Sequence, residues 1–191
     1  MRLFVALDID ESIREKIVGF IEGVREFAAD VRWVKTESLH VTLKFIGETS
    51  KPDEIEHALS QIQATPIEMR FRGYGFFPTP KSARVFWVGI ESGTTLSGLA
   101  KTIDETLIPL GIAKETHSFS PHLTLARSGS GRPSHQKKDR TNRNFQRLQE
   151  KLEALPVPEF GTMTAHEFFL YQSQLSPKGS RYTKIADFAL R

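Results

Sequence analysis

Leu39-His40-Val41-Thr42-Leu43 and Pro121-His122-Leu123-Thr124-Leu125 are the two stretches on which the fold turns, and their histidines stand 82 residues apart (122 − 40). Side chains alternate along a strand, so His40 and Thr42 share one face while Val41 and Leu43 share the other. The second stretch repeats that pattern. Arg2-Leu3-Phe4 matches Arg84-Val85-Phe86 at the same offset (84 − 2). Apolar helix positions recur with it, Ile17 on Leu99 and Ile21 on Ile103. A single offset shared by a strand, a helix and a histidine strand predicts an internal repeat. It implies two pseudo-symmetric lobes, over about 1–50 and 83–130, within one 1–191 domain. Equivalent strands would then face each other across a cleft, where ligand sites commonly form.

Periodicity fills in the rest. Residues 2–8 form a continuous apolar run that opens the fold as a strand. Asp10 or Ser12 can cap the next helix, with Glu15 in capping-box position after Ser12, and Ile13, Ile17, Ile21 and Val24 share its apolar face. Strands are predicted over 31–35, 40–46, 67–77, 84–90 and 121–126. Helices are predicted from Pro52 to about residue 62, over 96–110, and around Phe145, Leu148 and Leu152. The C-terminus is predicted as a hairpin, a strand over 160–172 and a return strand over 182–190, adding to one of the sheets. The order β-α-β-β-α-β-β-α-β-α-β-β is not a regular βαβα series, so the class is α+β with mostly antiparallel sheets flanked by helices.

Composition narrows the function. At 191 residues, 39% hydrophobic and 26% charged, the chain can bury an ordinary core. Cysteine is absent, which excludes a thiol nucleophile, disulfides and thiolate zinc sites, and fits a cytoplasmic location. No apolar run reaches the roughly 20 residues of a membrane span, and the apolar N-terminus stops at Asp8 without a cleavage signature. The net charge of +3 is concentrated in a loop over 128–144 and just beyond. Arg132, Lys137, Lys138, Arg140, Arg143 and Arg147 stand there against Asp139 alone. Such a stretch suits a solvated face or contact with a phosphate backbone.

Paired His-x-Thr strands can do specific chemistry. Histidine titrates near pH 6.5, so one imidazole can be neutral while its partner is protonated. That is what a general base and a general acid require. The threonine hydroxyls can donate to phosphate oxygens as charge develops. No carboxylates stand at fitting positions for a metal site built on these histidines, so no metal and no cofactor are expected. His57, His117, His135 and His166 lack a threonine two residues on and are read as ordinary.

The sequence resembles the two-histidine phosphoesterases, and within them the RNA 2′,3′-cyclic phosphodiesterase family, also called 2′-5′ RNA ligases. Arg2-Leu3-Phe4-Val5-Ala6-Leu7 is similar to the family's opening strand, and residues 39–47 to its first motif. Phe119-Ser120-Pro121-His122-Leu123-Thr124-Leu125-Ala126-Arg127 is similar to its second motif, and residues 171–182 to its C-terminal hairpin. The resemblance implies a bilobal fold with both histidines in a central cleft. It also implies hydrolysis of RNA 2′,3′-cyclic phosphate ends, from tRNA fragments among other sources, to 2′-phosphomonoesters by a monomer. Reversible 2′-5′ joining of RNA would accompany it. His40, Thr42, His122 and Thr124 become the catalytic set, with His122 as base and His40 as acid. Arg127 becomes a candidate phosphate contact, although strict alternation puts it opposite His122 unless a bulge intervenes. Phe45 and Phe119 become candidate base-stacking residues, with core packing the plainer role for Phe45. Lys44 shares parity with His40 and Thr42 and is expected to face the cleft.

Other readings keep the fold and change the substrate to a 2′-5′ oligonucleotide or a small cyclic phosphate. A further one reduces the protein to a non-catalytic RNA-binding module.

Overall fold

Nine strands and four α-helices make up the fold, in a computed structural model that describes residues 1–129 and 143–191. Arg132, Lys137, Lys138 and Arg140 of the basic stretch lie outside those residues. The strands are β1 (Arg2–Leu7), β2 (Arg32–Trp33), β3 (Val41–Glu48), β4 (Ile67–Phe77), β5 (Val85–Glu91), β6 (His122–Arg127), β7 (Glu159–Ala165), β8 (Glu167–Ser176) and β9 (Gly179–Ala189). The helices are α1 (Glu11–Val24), α2 (Pro52–Ser60), α3 (Thr95–Leu107) and α4 (Gln146–Glu153). Asp10 is the N-cap of α1 and Pro52 opens α2, but no capping-box bond forms at Ser12. This is the α+β class expected.

All ladders are antiparallel and form two sheets, ordered β3-β1-β8-β9 and β2-β6-β5-β4-β7. The series β3-β1-β8-β9 is matched by β6-β5-β4-β7, so the repeat is visible in the strand order. The offset is not uniform, however. Lys44 faces Val5 and Ala126 faces Phe86, which gives 82 for the histidine strands (126 − 44) and 81 for β1 and β5 (86 − 5). Core-facing Leu3, Val5 and Leu7 are odd-numbered, whereas core-facing Phe86, Val88 and Ile90 are even-numbered. Alternation therefore forbids an even offset here. The likeness of Arg2-Leu3-Phe4 to Arg84-Val85-Phe86 is one residue out of structural register.

The strand expected over 160–172 is two strands in different sheets. His166 and Glu167 are both exposed and break the alternation of β7. Beyond them Phe168 to Tyr171 are all buried, because β8 lies between β1 and β9 with both faces covered. Only the β8–β9 hairpin joins the first sheet, while β7 closes an edge of the second.

The helices are exchanged between the sheets. α1 follows β1 of the first sheet but packs on the second: Phe20 sits 6.3 Å from Phe86 and 5.3 Å from Phe160, ring centre to ring centre. α3 follows β5 of the second sheet but packs on β3 of the first, beside α2. One continuous apolar core joins all four helices to both sheets. A smaller cluster of Phe4, Ala6, Phe169 and Tyr171 covers the opposite face of the first sheet. That face looks into the cleft.

Lys44 does not face the cleft, contrary to its parity in the sequence. Between Val5–Lys44 and Ala6–Thr42 the β1–β3 ladder slips by one residue, leaving Leu43 without a partner. The bulge puts Leu43 and Lys44 both on the buried side. Lys44 is 3% exposed, and its ammonium donates to Asp104 Oδ1 of α3 at 2.7 Å, to the Ala113 carbonyl at 2.7 Å and to Glu115 at 3.1 Å. It ties β3 to α3 on the buried side of the strand.

Removing one partner of a buried ion pair strands the other. Asp104→Ala should cost about 3 kcal/mol by urea unfolding, toward the lower end for such losses because Ala113 and Glu115 remain. Lys44→Met combined with Asp104→Leu should recover most of that loss.

Candidate active site

The two histidines are held in the same way. His40 precedes β3 and follows a 3₁₀ turn, Thr36–Ser38, whose last carbonyl accepts from His40 Nδ1 at 2.7 Å. His122 opens β6, and its Nδ1 lies 2.7 Å from the Ser120 carbonyl. A carbonyl can only accept, so Nδ1 carries the hydrogen in both rings. Nε2 is left on each as the atom that takes up or gives away a proton. Thr42 and Thr124 are half-buried, each two residues on from its histidine.

Beyond the threonines both strands bulge at equivalent places. In the β5–β6 ladder Phe86 faces Ala126 and Trp87 faces Thr124, so Leu125 is the extra residue. Leu125 and Ala126 are both buried, and Arg127 is returned to the face of His122 and Thr124. Alternation alone had excluded that position. The same slip after Leu43 returns Phe45 to the face of His40 and Thr42. Phe45 is 59% exposed, 6.2 Å from the Phe4 ring, and is not a core residue. Phe45 and Arg127 are themselves related by the histidine-strand offset (127 − 45 = 82). The repeat thus places an aromatic ring on one side and a guanidinium on the other.

Aromatic walls flank each imidazole. Phe4 lies 4.9 Å from His40 and stacks on Tyr171 at 5.1 Å, while Tyr182 meets His40 edge-on at 5.3 Å. On the other side Phe77 meets His122 edge-on at 5.0 Å, with Trp87 at 6.1 Å. The Trp87 indole needs Gly75 beneath it, since a Cβ there would come within 2.1 Å of Cζ2. Phe119 is not part of either wall. Its ring packs half-buried against the main core.

The two imidazoles share most of their electrostatic influences but not all. Burial pushes both below the ordinary value of 6.5, and the carbonyl hydrogen bonds oppose it. The Arg127 guanidinium lowers both further. His40 alone also feels the Asp8 carboxylate, which raises it. Asp8 accepts from Tyr171 Oη at 3.2 Å and is ion-paired with Lys184. Burial and Asp8 together push the Tyr171 phenol well above its ordinary range, so it stays protonated as that donor.

Of the residues singled out in the sequence, His40 lies with Thr42 and His122 with Thr124, each pair half-buried on one side of its strand, and the charge of His122 is felt at His40. Asp8, Phe4, Tyr171, Tyr182, Phe77 and Trp87 were missed. Asp8 carried a signal: it directly follows the opening strand, where a charged residue after an apolar run marks an emerging edge. The tyrosines carried none, since only the pairing of β8 with β1 brings them there. Among the described residues no group of three or more His, Asp or Glu side chains is placed to hold a metal ion. No helix among them is long and apolar enough to cross a membrane.

Two antiparallel sheets that each turn a His-x-Thr strand into a shared cleft define the protein as a two-histidine phosphoesterase. Comparison with known proteins agrees. The chain belongs to the 2′-5′ RNA ligase superfamily, which matches residues 13–165. It is 35% identical to an RNA 2′,3′-cyclic phosphodiesterase of Archaeoglobus fulgidus, over 98% of this chain and 99% of that one. It is 32% identical to the protein of that name from Methanothermobacter thermautotrophicus, over 100% and 99%. Among solved structures, a Thermus thermophilus protein superposes with a TM-score of 0.75 at 30% identity, covering 100% of this chain and 98% of that one. E. coli LigT complexed with 3′-AMP does so with 0.76 at 26% identity, covering 99% and 97%.

The charges around the imidazoles make a titration prediction. By NMR both histidines should titrate below 6.5. Arg127→Met removes a positive neighbour and should raise both. Asp8→Asn removes a negative one and should lower His40 alone.

Proposed function

We propose that the protein hydrolyses RNA 2′,3′-cyclic phosphate ends to 2′-phosphomonoesters, with His122 as general base and His40 as general acid. The observation that carries this reading is the matched pair of imidazoles, each locked through Nδ1 so that Nε2 is the working atom. Family membership and the names of the relatives support the substrate class.

His122 Nε2 takes a proton from water as the water oxygen attacks phosphorus. The bond from phosphorus to O3′ breaks in line, and His40 Nε2 gives its proton to the departing O3′. The phosphate stays on O2′, and the two histidines return to their starting states by exchange with solvent. Thr42 and Thr124 donate to the non-bridging oxygens, and Arg127 adds a bidentate cation. His40 has a carboxylate, Asp8, that favours its protonated form, whereas no carboxylate acts on His122 in this way, and this supports His40 as the acid. With an RNA 5′-hydroxyl in the place of water, the same step makes a 2′-5′ bond. The exposed ring of Phe45 would stack on a base. One chain supplies both His-x-Thr strands, so a monomer suffices, and tRNA fragments are one source of such ends.

The test is a short RNA ending in a 2′,3′-cyclic phosphate, incubated in the presence of chelator. The protein should release a 2′-phosphate product. His40→Ala and His122→Ala should each slow it by about 10²–10⁴-fold, the range for general acid–base catalysis. Turnover that survives both substitutions would remove the paired-histidine mechanism.

A further inference from the structure

The cleft is nearly symmetric in its catalytic strands, but the surface around it is not. A groove of about 660 Å³ opens beside His40, within the range of about 300–1,000 Å³ for ligand sites. Asp8, His40, Tyr171 and Tyr182 line its inner end. None of His122, Thr124 and Arg127 lines it. Its cations are Arg14, Lys35, Lys178, Arg181 and Lys184, against the acids Asp8 and Glu37, a balance of +3 (5 − 2).

The cations divide by what they already hold. Arg14 donates to the Thr36 carbonyl and pairs with Glu11, and Lys184 is paired with Asp8. Lys35, Lys178 and Arg181 are exposed, and no ion pair or side-chain hydrogen bond engages them among the described residues. They stand together although distant in sequence. Gly179, at the β8–β9 turn with φ +106°, is so near Lys35 that a Cβ there would lie 3.9 Å from its Cε. The turn thus brings Lys178 and Arg181 up to Lys35 at the groove's outer end.

The reaction says which part of an RNA belongs there. In the in-line step the attacking oxygen enters opposite the departing O3′, and O3′ remains part of the terminal ribose. The group that protonates O3′ therefore sits on the ribose side, and the rest of the RNA leaves that ribose through its 5′ oxygen. Resting on the assignment of His40 as the acid, we propose that this groove is the track for the nucleotides upstream of the cyclic phosphate. Their backbone phosphates lie on Lys35, Lys178 and Arg181, and the strand that brings a 5′-hydroxyl approaches from the side of His122.

The experiment compares kcat/KM for a 2′,3′-cyclic mononucleotide with that for a trinucleotide carrying the same cyclic end. The protein is compared with Lys35→Ala and with Lys178→Ala/Arg181→Ala. The parent should favour the trinucleotide, and the double variant should lose about tenfold on the trinucleotide through KM, as expected when backbone phosphates go unpaired. Its turnover of the mononucleotide should be unchanged. The slope of log kcat/KM against log salt should become shallower by about 0.7 for each phosphate left without its cation. An unchanged preference for length, or an equal loss on both substrates, would overturn the track. So would variants that impair only joining to a 5′-hydroxyl RNA, which would assign the groove to the other strand. If the parent turns over neither substrate, the proposed activity fails by itself. Fluorescence anisotropy of a labelled trinucleotide ending in a 2′-phosphate then decides the groove, with weaker binding by the variants supporting it and equal binding overturning it.

Discussion

An extra residue just past the threonine in each histidine strand governs the site. A strict strand would carry the parity of His40 through Lys44, and the parity of His122 through Ala126, sending Phe45 and Arg127 into the core. The slips at Leu43 and Leu125 reverse this. Each strand can then fill two consecutive core positions and return a chemically useful residue to the cleft. An unpaired residue weakens the ladder locally, and the buried leucine offsets that by packing. Arg127 touches the electrostatics of both imidazoles because of this irregularity, and Lys44 anchors α3 because of its counterpart.

The repeat makes a symmetric frame, and the chemistry requires an asymmetric one. An acid and a base must differ in proton affinity although both begin as histidines in equivalent hydrogen bonds. A carboxylate that acts on one imidazole and not the other comes from outside the repeated strands. Asp8 follows β1 and acts on His40, held by Tyr171 and Lys184 from the C-terminal hairpin. That hairpin also supplies Tyr182 and much of the groove beside His40. Symmetry supplies the pair, and the hairpin gives His40 surroundings that His122 lacks.

Much of this was legible in the sequence, because it rests on local periodicity. His-x-Thr repeated at one spacing pointed to the histidine pair and the two sheets, and most elements lie within a few residues of their expected bounds. Long-range pairing decided the rest. The bulges depend on what Lys44 and Ala126 meet across the ladder, so parity misplaced Lys44 and left Arg127 stranded. A closer reading of the offset held a clue, since Phe45 and Arg127 fall on it as surely as the histidines do. The break at His166 lies in a stretch that is continuous in the sequence, with no turn residue between the two halves, which enter different sheets.

The exchange of helices bears on how such a chain can come to be folded at all. The first sheet draws on residues 2–7 and 41–48, and then on 167–176 and 179–189. Its helical cover comes in part from α3, which begins at Thr95. During synthesis β1 and β3 must therefore wait, with an uncovered apolar face, for strands made much later. Contacts this distant in sequence make for slow nucleation and long exposure of unpaired edges. Cutting the chain between the repeats would leave two fragments, each missing a helix that helps to shield its sheet, and each with a natural mate in the other.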